Sequence, residues 1–159
     1  VDSCYNQLRK RASLSSSSLS VVSELKSGSA WYVPGGCSTI GRLFNDACGR
    51  YAFAEDKHSG SIPLAFETVF DKAGDADVWT IKYNRDRDMT YSDLKADYIG
   101  YTGFKAFKTR NIYGCNTAKV PFYEETPFRP DYLLSDLIQI LHPEIGDLGG
   151  LCYFCKLNE

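Results

Sequence analysis

Apolar side chains follow two different periods along this chain, and the two periods alternate from the amino to the carboxyl end. Spacings of three and four residues are typical of one face of a helix, whereas short valine-rich or alternating runs are typical of strands. The helical pattern predicts helices or helical turns over residues 5–12, 38–47, 66–73, 91–96, 103–110 and 130–142. The strand pattern predicts strands over residues 19–25, 50–54, 77–83, 111–115 and 151–157.

Residues that favour helix ends support these boundaries. Thr90 can cap the helix over residues 91–96, and Pro130 suits the first turn of the last helix. Gly49 and Gly74 follow two other helices, where glycine is a frequent stop signal. The spacing of apolar residues and the residues at helix ends therefore agree on the order of the elements.

Strands and helices that alternate in this way favour an α/β fold with helices on both faces of a mainly parallel central sheet. We predict a Rossmann-like, three-layer α/β/α architecture, and the 159 residues suit a single domain. In such sheets a ligand lies beyond the carboxyl ends of the strands. The loops expected at this edge are residues 31–37, 55–61, 84–89 and 114–122.

Composition and charge narrow the function classes. The formal net charge is -2, with 43% hydrophobic and 24% charged residues. A nucleic-acid-binding domain usually carries a basic surface, and this balance gives no sign of one, so we expect no nucleic-acid partner. The longest fully apolar runs are a few residues, which is too short for a membrane-spanning helix.

Motifs for catalysis or metal binding are sparse. The single C-x-x-C pair, Cys152 and Cys155, lies in a strand-like run, and no second pair accompanies it. Redox pairs favour a helix start and structural zinc sites need further ligands, so we expect neither chemistry. The G-x-S-x-G and G-x-x-x-x-G-K-[ST] motifs are both absent. We predict no catalytic residue, no metal site and no cofactor.

Cys37 is the best candidate for a nucleophile. It follows a glycine turn and opens a helix, a setting in which thiols are often reactive. Arg42 follows after four intervening residues, whereas a cysteine phosphatase loop needs five to wrap a phosphate. An α/β enzyme with a reactive Cys37, phosphatase-like or reductase-like, therefore stays open as the alternative to a binding protein.

Aromatic residues lie at several predicted strand ends. The chain has 11 tyrosines, 9 phenylalanines and 2 tryptophans. Planar, amphipathic side chains at these ends suit a large, partly apolar ligand. We assign Trp79, which lies inside a strand, to the core. We assign Trp31 and Tyr32, which precede a Pro-Gly-Gly turn, to the mouth of a ligand site.

Six segments carry a resemblance through their order and spacing. They are WYVPGG at 31–36, RLFNDA at 42–47, GSIPLAFETV at 60–69, DADVW at 75–79, FRPD at 128–131 and LSDLIQILHPE at 134–144. Together they resemble the carboxy-terminal lobe of the helical-backbone substrate-binding proteins that serve ABC importers for cobalamin, haem and ferric siderophores. The resemblance covers nearly all of the chain.

The resemblance implies a two-lobed clamp that is joined by a long helix and holds a metal chelate between its lobes. This chain would be the carboxy-terminal lobe, with the amino-terminal lobe of the same protein as its partner. The metal would arrive with the ligand and would not be a cofactor of the protein. The residues that we expect to line the ligand site are Trp31, Tyr32, Pro34, Gly35, Gly36, Ser61, Tyr113 and Phe122.

The resemblance also implies docking on a membrane permease. In this family a Ser-x-Glu motif at a strand–helix connection supplies a glutamate that binds arginines of the permease, and Glu67 occupies that place. A carboxylate in the first turn of a helix is favoured by the helix dipole and can form charge-assisted pairs with arginine. Ala65 stands where the pattern has the serine, so the helix start departs from it.

We therefore expect an extracytoplasmic solute-binding component of an ABC importer, periplasmic or anchored at the cell surface as a lipoprotein, and not an enzyme. It would act by binding, hinge closure and docking, without bond chemistry. The alternatives are the Cys37 enzyme and a surface module for adhesion or scavenging that has lost its permease. Corrinoid, haem and ferric siderophore all stay open as ligands.

Overall fold

The computed structural model describes residues 1–15 and 18–159. The helices in these residues are α1 (Asp2–Ser13), α2 (Thr39–Asp46), α3 (Phe66–Ala73), α4 (Tyr91–Asp97), α5 (Lys105–Lys108), α6 (Phe122–Glu125) and α7 (Pro130–Leu141), with a 3-10 helix at Ile99–Gly103. The strands are β1 (Ser20–Ser23), β2 (Lys26–Ser27), β3 (Ala30–Pro34), β4 (Arg50–Tyr51), β5 (Ser61–Leu64), β6 (Val78–Tyr83), β7 (Ile112–Asn116) and β8 (Cys155–Lys156). None of the helices in the described ranges is both long and apolar enough to cross a membrane.

Five strands form the central sheet in the order β4-β1-β6-β7-β8. The first four are parallel, and β8 pairs antiparallel with β7. The register sets Val22 beside Trp79 and Trp79 beside Ile112. The predicted α/β fold with a mainly parallel sheet is therefore confirmed, and the carboxyl ends of four parallel strands share one edge.

A second, antiparallel sheet has the order β2-β3-β5. The β2–β3 hairpin turns at Gly28, whose φ of +61° is a backbone conformation that glycine adopts freely. Strand β5 then pairs with β3, so that Ser61 lies opposite Pro34. The predicted loop over residues 31–37 is therefore wrong for residues 31–34, which belong to β3, and the predicted loop over residues 55–61 ends at the first residue of β5.

Side-chain caps form at the start of two helices, and the sequence predicted one of them. The hydroxyl of Ser38 accepts a hydrogen bond from the Gly41 amide at 3.0 Å at the start of α2. Thr90 and Asp93 form a reciprocal capping box at the start of α4, as the position of Thr90 predicted. Helix α3 lacks such a cap because Ala65 has no side-chain acceptor.

The two tryptophans lie together in the core. Trp31 and Trp79 are both 0% exposed, and their rings stack at a centroid distance of 5.8 Å. Each indole nitrogen donates to a main-chain carbonyl at the end of β1, Trp31 to Ser23 and Trp79 to Glu24. The core assignment of Trp79 is confirmed. The assignment of Trp31 to a ligand mouth is wrong, because the two-residue period of β3 turns Trp31 inward and Tyr32 outward.

The carboxyl-terminal segment is held by one buried carboxylate. Asp136 of α7 is 0% exposed and accepts hydrogen bonds from the amides of Cys152, Tyr153 and Phe154 at 2.7, 2.8 and 3.1 Å. Burial raises the pKa of the Asp136 carboxyl, and the three amide bonds oppose that shift. Only β8, within the predicted strand over residues 151–157, pairs with the sheet.

Candidate functional site

A cavity of about 440 Å³ opens at the carboxyl edge of the central sheet. Its walls come from the ends of β1 and β6, the β2–β3 hairpin, the start of α2 and the segment 59–61. Three of the residues predicted from the sequence, Tyr32, Pro34 and Ser61, line it. The cavity therefore occupies the place where a sheet of this class binds its ligand.

Gly35 and Gly36 do not line the cavity but allow its walls to come close. A Cβ atom on Gly35 would lie 2.3 Å from the carbonyl oxygen of His58, and one on Gly36 would lie 2.3 Å from that of Ala54. Both distances are below any real contact, so only glycine fits here. The two glycines therefore position the segment that carries Ser61, and they do not themselves face the cavity.

An ion pair lies at the centre of the edge, and the sequence reasoning missed it. Glu24 follows β1 and Lys82 belongs to β6, and Lys82 Nζ lies 3.5 Å from Glu24 Oε1. Their side chains are only 22% and 21% exposed. Burial raises the pKa of Glu24, while the Lys82 ammonium opposes that shift. The sequence does carry a signal for each residue: Glu24 directly follows a valine-rich strand, and Lys82 lies within a largely apolar one.

The backbone of Glu24 has an unusual conformation. Its φ is +73°, a left-handed value that is uncommon for residues other than glycine. Its amide donates to the carbonyl of Thr80 at 2.9 Å, and its carbonyl accepts from the indole of Trp79. These bonds hold the strained residue in place, and strain of this kind concentrates at binding sites.

A second cavity of about 310 Å³ lies next to the first. Phe122, Pro127 and Leu133 contribute apolar walls, and Lys82 and Ile40 line both cavities. Phe122 is only 4% exposed, so the predicted residue contributes a ring face to this cavity without protruding into solvent. One cavity is thus rich in hydroxyl groups, the other is largely apolar, and Lys82 lies between them.

Tyr113 does not take the place that was predicted for it. It is the second residue of β7 and pairs with Thr80 and Lys156, in the amino-terminal half of the strand. Asn116 is the residue of β7 that reaches the carboxyl edge. Tyr113 lines neither cavity, because it lies three residues before the carboxyl end of β7.

Cys37 lacks the surroundings of a phosphatase nucleophile. The amides of Gly35 and Cys37, which such a loop would direct at a phosphate, donate instead to the carbonyls of Gly60 and His58. Arg42 is exposed. All six thiols are free, and burial raises the pKa of Cys115 to about 12. Among the described residues, no group of three or more His, Cys, Asp or Glu residues could hold a metal ion.

Glu67 lines neither of the two cavities. It is exposed in the first turn of α3, directly after β5. Asp71 is exposed one turn later on the same helix. The carboxylate is therefore accessible to another protein.

Comparisons with known proteins decide the family. A model of the family described as periplasmic binding protein matches residues 1–118. The chain belongs to this family. The interpretation as part of a binding protein is thereby confirmed, as is the extracytoplasmic location, and an enzyme with Cys37 as nucleophile finds no support.

Individual relatives agree with the family. A lipoprotein of Methanocaldococcus jannaschii with no characterised function is 30% identical over 128 residues, which are 80% of this chain and 30% of that relative. The TroA-like periplasmic binding protein FepB from Veillonella parvula matches with a TM-score of 0.69 and 14% identity, over 99% of this chain and 54% of that one.

Two further solved structures share the fold. S. aureus IsdE, solved in complex with heme, has a TM-score of 0.62 and 17% identity, over 89% of this chain and 54% of that one. The siderophore periplasmic binding protein from the fuscachelin gene cluster of Thermobifida fusca has a TM-score of 0.55 and 11% identity, over 88% of this chain and 51% of that one. This periplasmic binding protein chain thus spans about half the length of the solved relatives.

Proposed function

We propose that residues 1–159 form the carboxy-terminal lobe of a two-lobed solute-binding protein that delivers a metal chelate to an ABC importer. The pair of cavities at the carboxyl edge carries the proposal. A hydroxyl-lined cavity and an apolar one meet there, which suits a large ligand with polar and apolar parts. Two of the solved relatives are named for heme or a siderophore, and both are ligands of this kind.

The proposed action is closure of two lobes over one ligand. The amino-terminal lobe of the same protein would cover the carboxyl edge, and Tyr32, Pro34 and Ser61 would contact the ligand from this side. Phe122 would contact it from the apolar cavity, with Gly35 and Gly36 shaping the wall. Trp31 and Tyr113 have no direct part, because neither reaches a cavity.

Calorimetric titration with haem, cobalamin and a ferric siderophore tests this function. In the whole two-lobed protein we expect saturable binding of one of the three ligands. In this chain alone the same ligand should bind at least tenfold more weakly, because about half of the contacts are missing. Tyr32→Ala should weaken binding in both forms. If the whole protein bound none of the three, the proposed cargo would be wrong.

Glu67 should matter for transport and not for ligand binding. We expect Glu67→Ala to weaken docking on the permease at least tenfold, because truncating one partner of an interfacial charge pair costs roughly 2–5 kcal/mol. The measurement is uptake of ligand into liposomes that contain the permease, together with calorimetry on the free binding protein.

Asp71→Ala is the matched control, since it removes an exposed carboxylate from the same helix. It should leave uptake near the wild-type rate. Equal uptake by wild type and Glu67→Ala would mean that Glu67 has no role in docking. Loss of ligand binding in Glu67→Ala would mean that the substitution acts on the ligand site and not on docking.

A further inference from the structure

The cavities at the carboxyl edge contain very little charge. Glu24 and Lys82 are the only charged residues among those that line the hydroxyl-rich cavity. Lys82 is the only charged residue among those that line the apolar one. A ligand that fills both cavities would therefore contact the Lys82 ammonium from each of them.

Aromatic rings hold Lys82 in this position. Its Nζ atom lies 5.2 Å from the ring centroid of Phe122 and 5.9 Å from that of Tyr123. Contacts at these distances attract an ammonium to the ring face. Glu24 is its ionic partner, with Oε1 3.5 Å from the same nitrogen. The ammonium thus has one ionic partner and two aromatic ones, of which Phe122 is buried.

We propose, building on the function proposed above, that Lys82 selects ligands with an anionic oxygen and that this oxygen replaces the Glu24 carboxylate as the partner of the ammonium. The ligand class is then an anionic chelate, such as a catecholate or carboxylate complex. Its apolar part enters the cavity beside Phe122, and its neutral polar part lies over the hydroxyl groups of Ser38 and Ser61.

The opposite choice, a cationic ligand paired with Glu24, fits less well. Such a ligand would face the Lys82 ammonium, which lines both cavities, and like charges repel. An anionic ligand leaves Glu24 without its counter-ion, but this carboxyl can take up a proton. Burial already raises the pKa of Glu24, and loss of the ammonium would remove the main effect that opposes that shift.

The other titratable groups near Glu24 do not change charge around neutral pH. Tyr51 on β4 and Cys115 on β7 both interact electrostatically with Glu24, and burial raises the pKa of each. Both are therefore neutral, and Lys82 is the partner that matters. Binding of an anion should take up a proton at Glu24, so the affinity should rise as pH falls toward the pKa of that group.

Two pairs of probes test the proposal in the whole two-lobed protein. One pair is haem and its uncharged dimethyl ester, and the other is an anionic ferric tris-catecholate and an uncharged ferric tris-hydroxamate. We expect the anionic member of one pair to bind about ten- to a hundredfold more tightly than its partner, as for other charge-assisted hydrogen bonds. Lys82→Met should abolish this preference, and Lys82→Arg should keep it.

Three further variants make the result specific. Glu24→Gln should bind the anionic probe at least as tightly as wild type and lose the pH dependence. The double variant Glu24→Gln with Lys82→Met leaves no buried charge alone, so it should fold normally, as measured by thermal unfolding, and show no preference. Lys26→Met is the control, because Lys26 also lies over a tyrosine ring, at 4.5 Å from Tyr98, but lines neither cavity.

The outcomes separate this inference from the function on which it rests. Equal binding of charged and uncharged probes, binding of cobalamin alone, or an undiminished preference in the double variant would overturn the role of Lys82 and leave the binding function standing. Absence of binding by any of these ligands would overturn both.

Discussion

Replacing Trp31 by alanine is expected to lower the free energy of unfolding by about 3–5 kcal/mol, as for other large-to-small substitutions in cores. The indole is fully buried, its ring lies 5.6 Å from that of Phe104, and its nitrogen donates to the Ser23 carbonyl. Removing it leaves a cavity and an unsatisfied carbonyl. Urea denaturation followed by circular dichroism measures the loss.

Tyr32→Ala is the matched control for this prediction. Tyr32 is the next residue of the same strand, but it is 49% exposed and faces the cavity. Its removal should change the free energy of unfolding by less than about 1 kcal/mol and act on ligand affinity instead. Trp31→Phe should retain part of the ring packing. Its loss in the free energy of unfolding should therefore lie between those of Trp31→Ala and Tyr32→Ala. If the Trp31→Ala variant were as stable as wild type but had lost ligand affinity, Trp31 would belong to the ligand site and not to the core.

Replacing Asp136 by alanine is expected to lower the free energy of unfolding by about 3 kcal/mol, because each buried donor without an acceptor costs roughly 1–3 kcal/mol. The amides of Tyr153 and Phe154 form buried bonds to this carboxylate, and the bond from Cys152 is partly buried. Burying the Asp136 carboxylate itself costs free energy, and the alanine variant avoids that cost, which offsets part of the lost stability. Hydrogen exchange should show the release of all three amides.

Two variants bracket the Asp136 result. Asp136→Asn keeps the shape and one acceptor oxygen, so it should cost less than alanine and protect some of the amides. Gln139→Ala, on the same helix, removes an amide that bonds to Ser135 within α7, and it should leave residues 152–154 protected. Unchanged exchange of these amides in Asp136→Ala would mean that packing alone holds the segment.

The parts of the fold that follow a local period could be predicted. The apolar spacing in α2, α3 and α7, and the run Val-Trp-Thr-Ile in β6, reflect which side of each element is buried, and this is written into neighbouring residues. The β2–β3 hairpin and β5 could not be predicted in the same way. Strand β5 pairs with β3 across a long stretch of sequence, and β2 has only two residues, which are too few to show a period.

The candidate site was predicted only in part, for the same reason. Tyr32, Pro34 and Ser61 could be found because aromatic and turn residues at a strand end are a local signal. Glu24 and Lys82 could not be paired from the sequence. Each is a single charge beside an apolar strand, and their meeting depends on β1 and β6 being neighbours in the sheet.

The sequence by itself determined the order of the main helices and of the strands of the central sheet, the α/β class and the resemblance to one lobe of a binding protein. These depend on the spacing of apolar residues, on residues that favour helix ends and on the order of motifs. Only the tertiary structure decided that Trp31 is core, that Asp136 holds the carboxyl-terminal segment and that Lys82 lies between two cavities. Burial and ion pairing of this kind depend on strand register and on which elements pack together. Those are properties of long-range contacts, which no local pattern records.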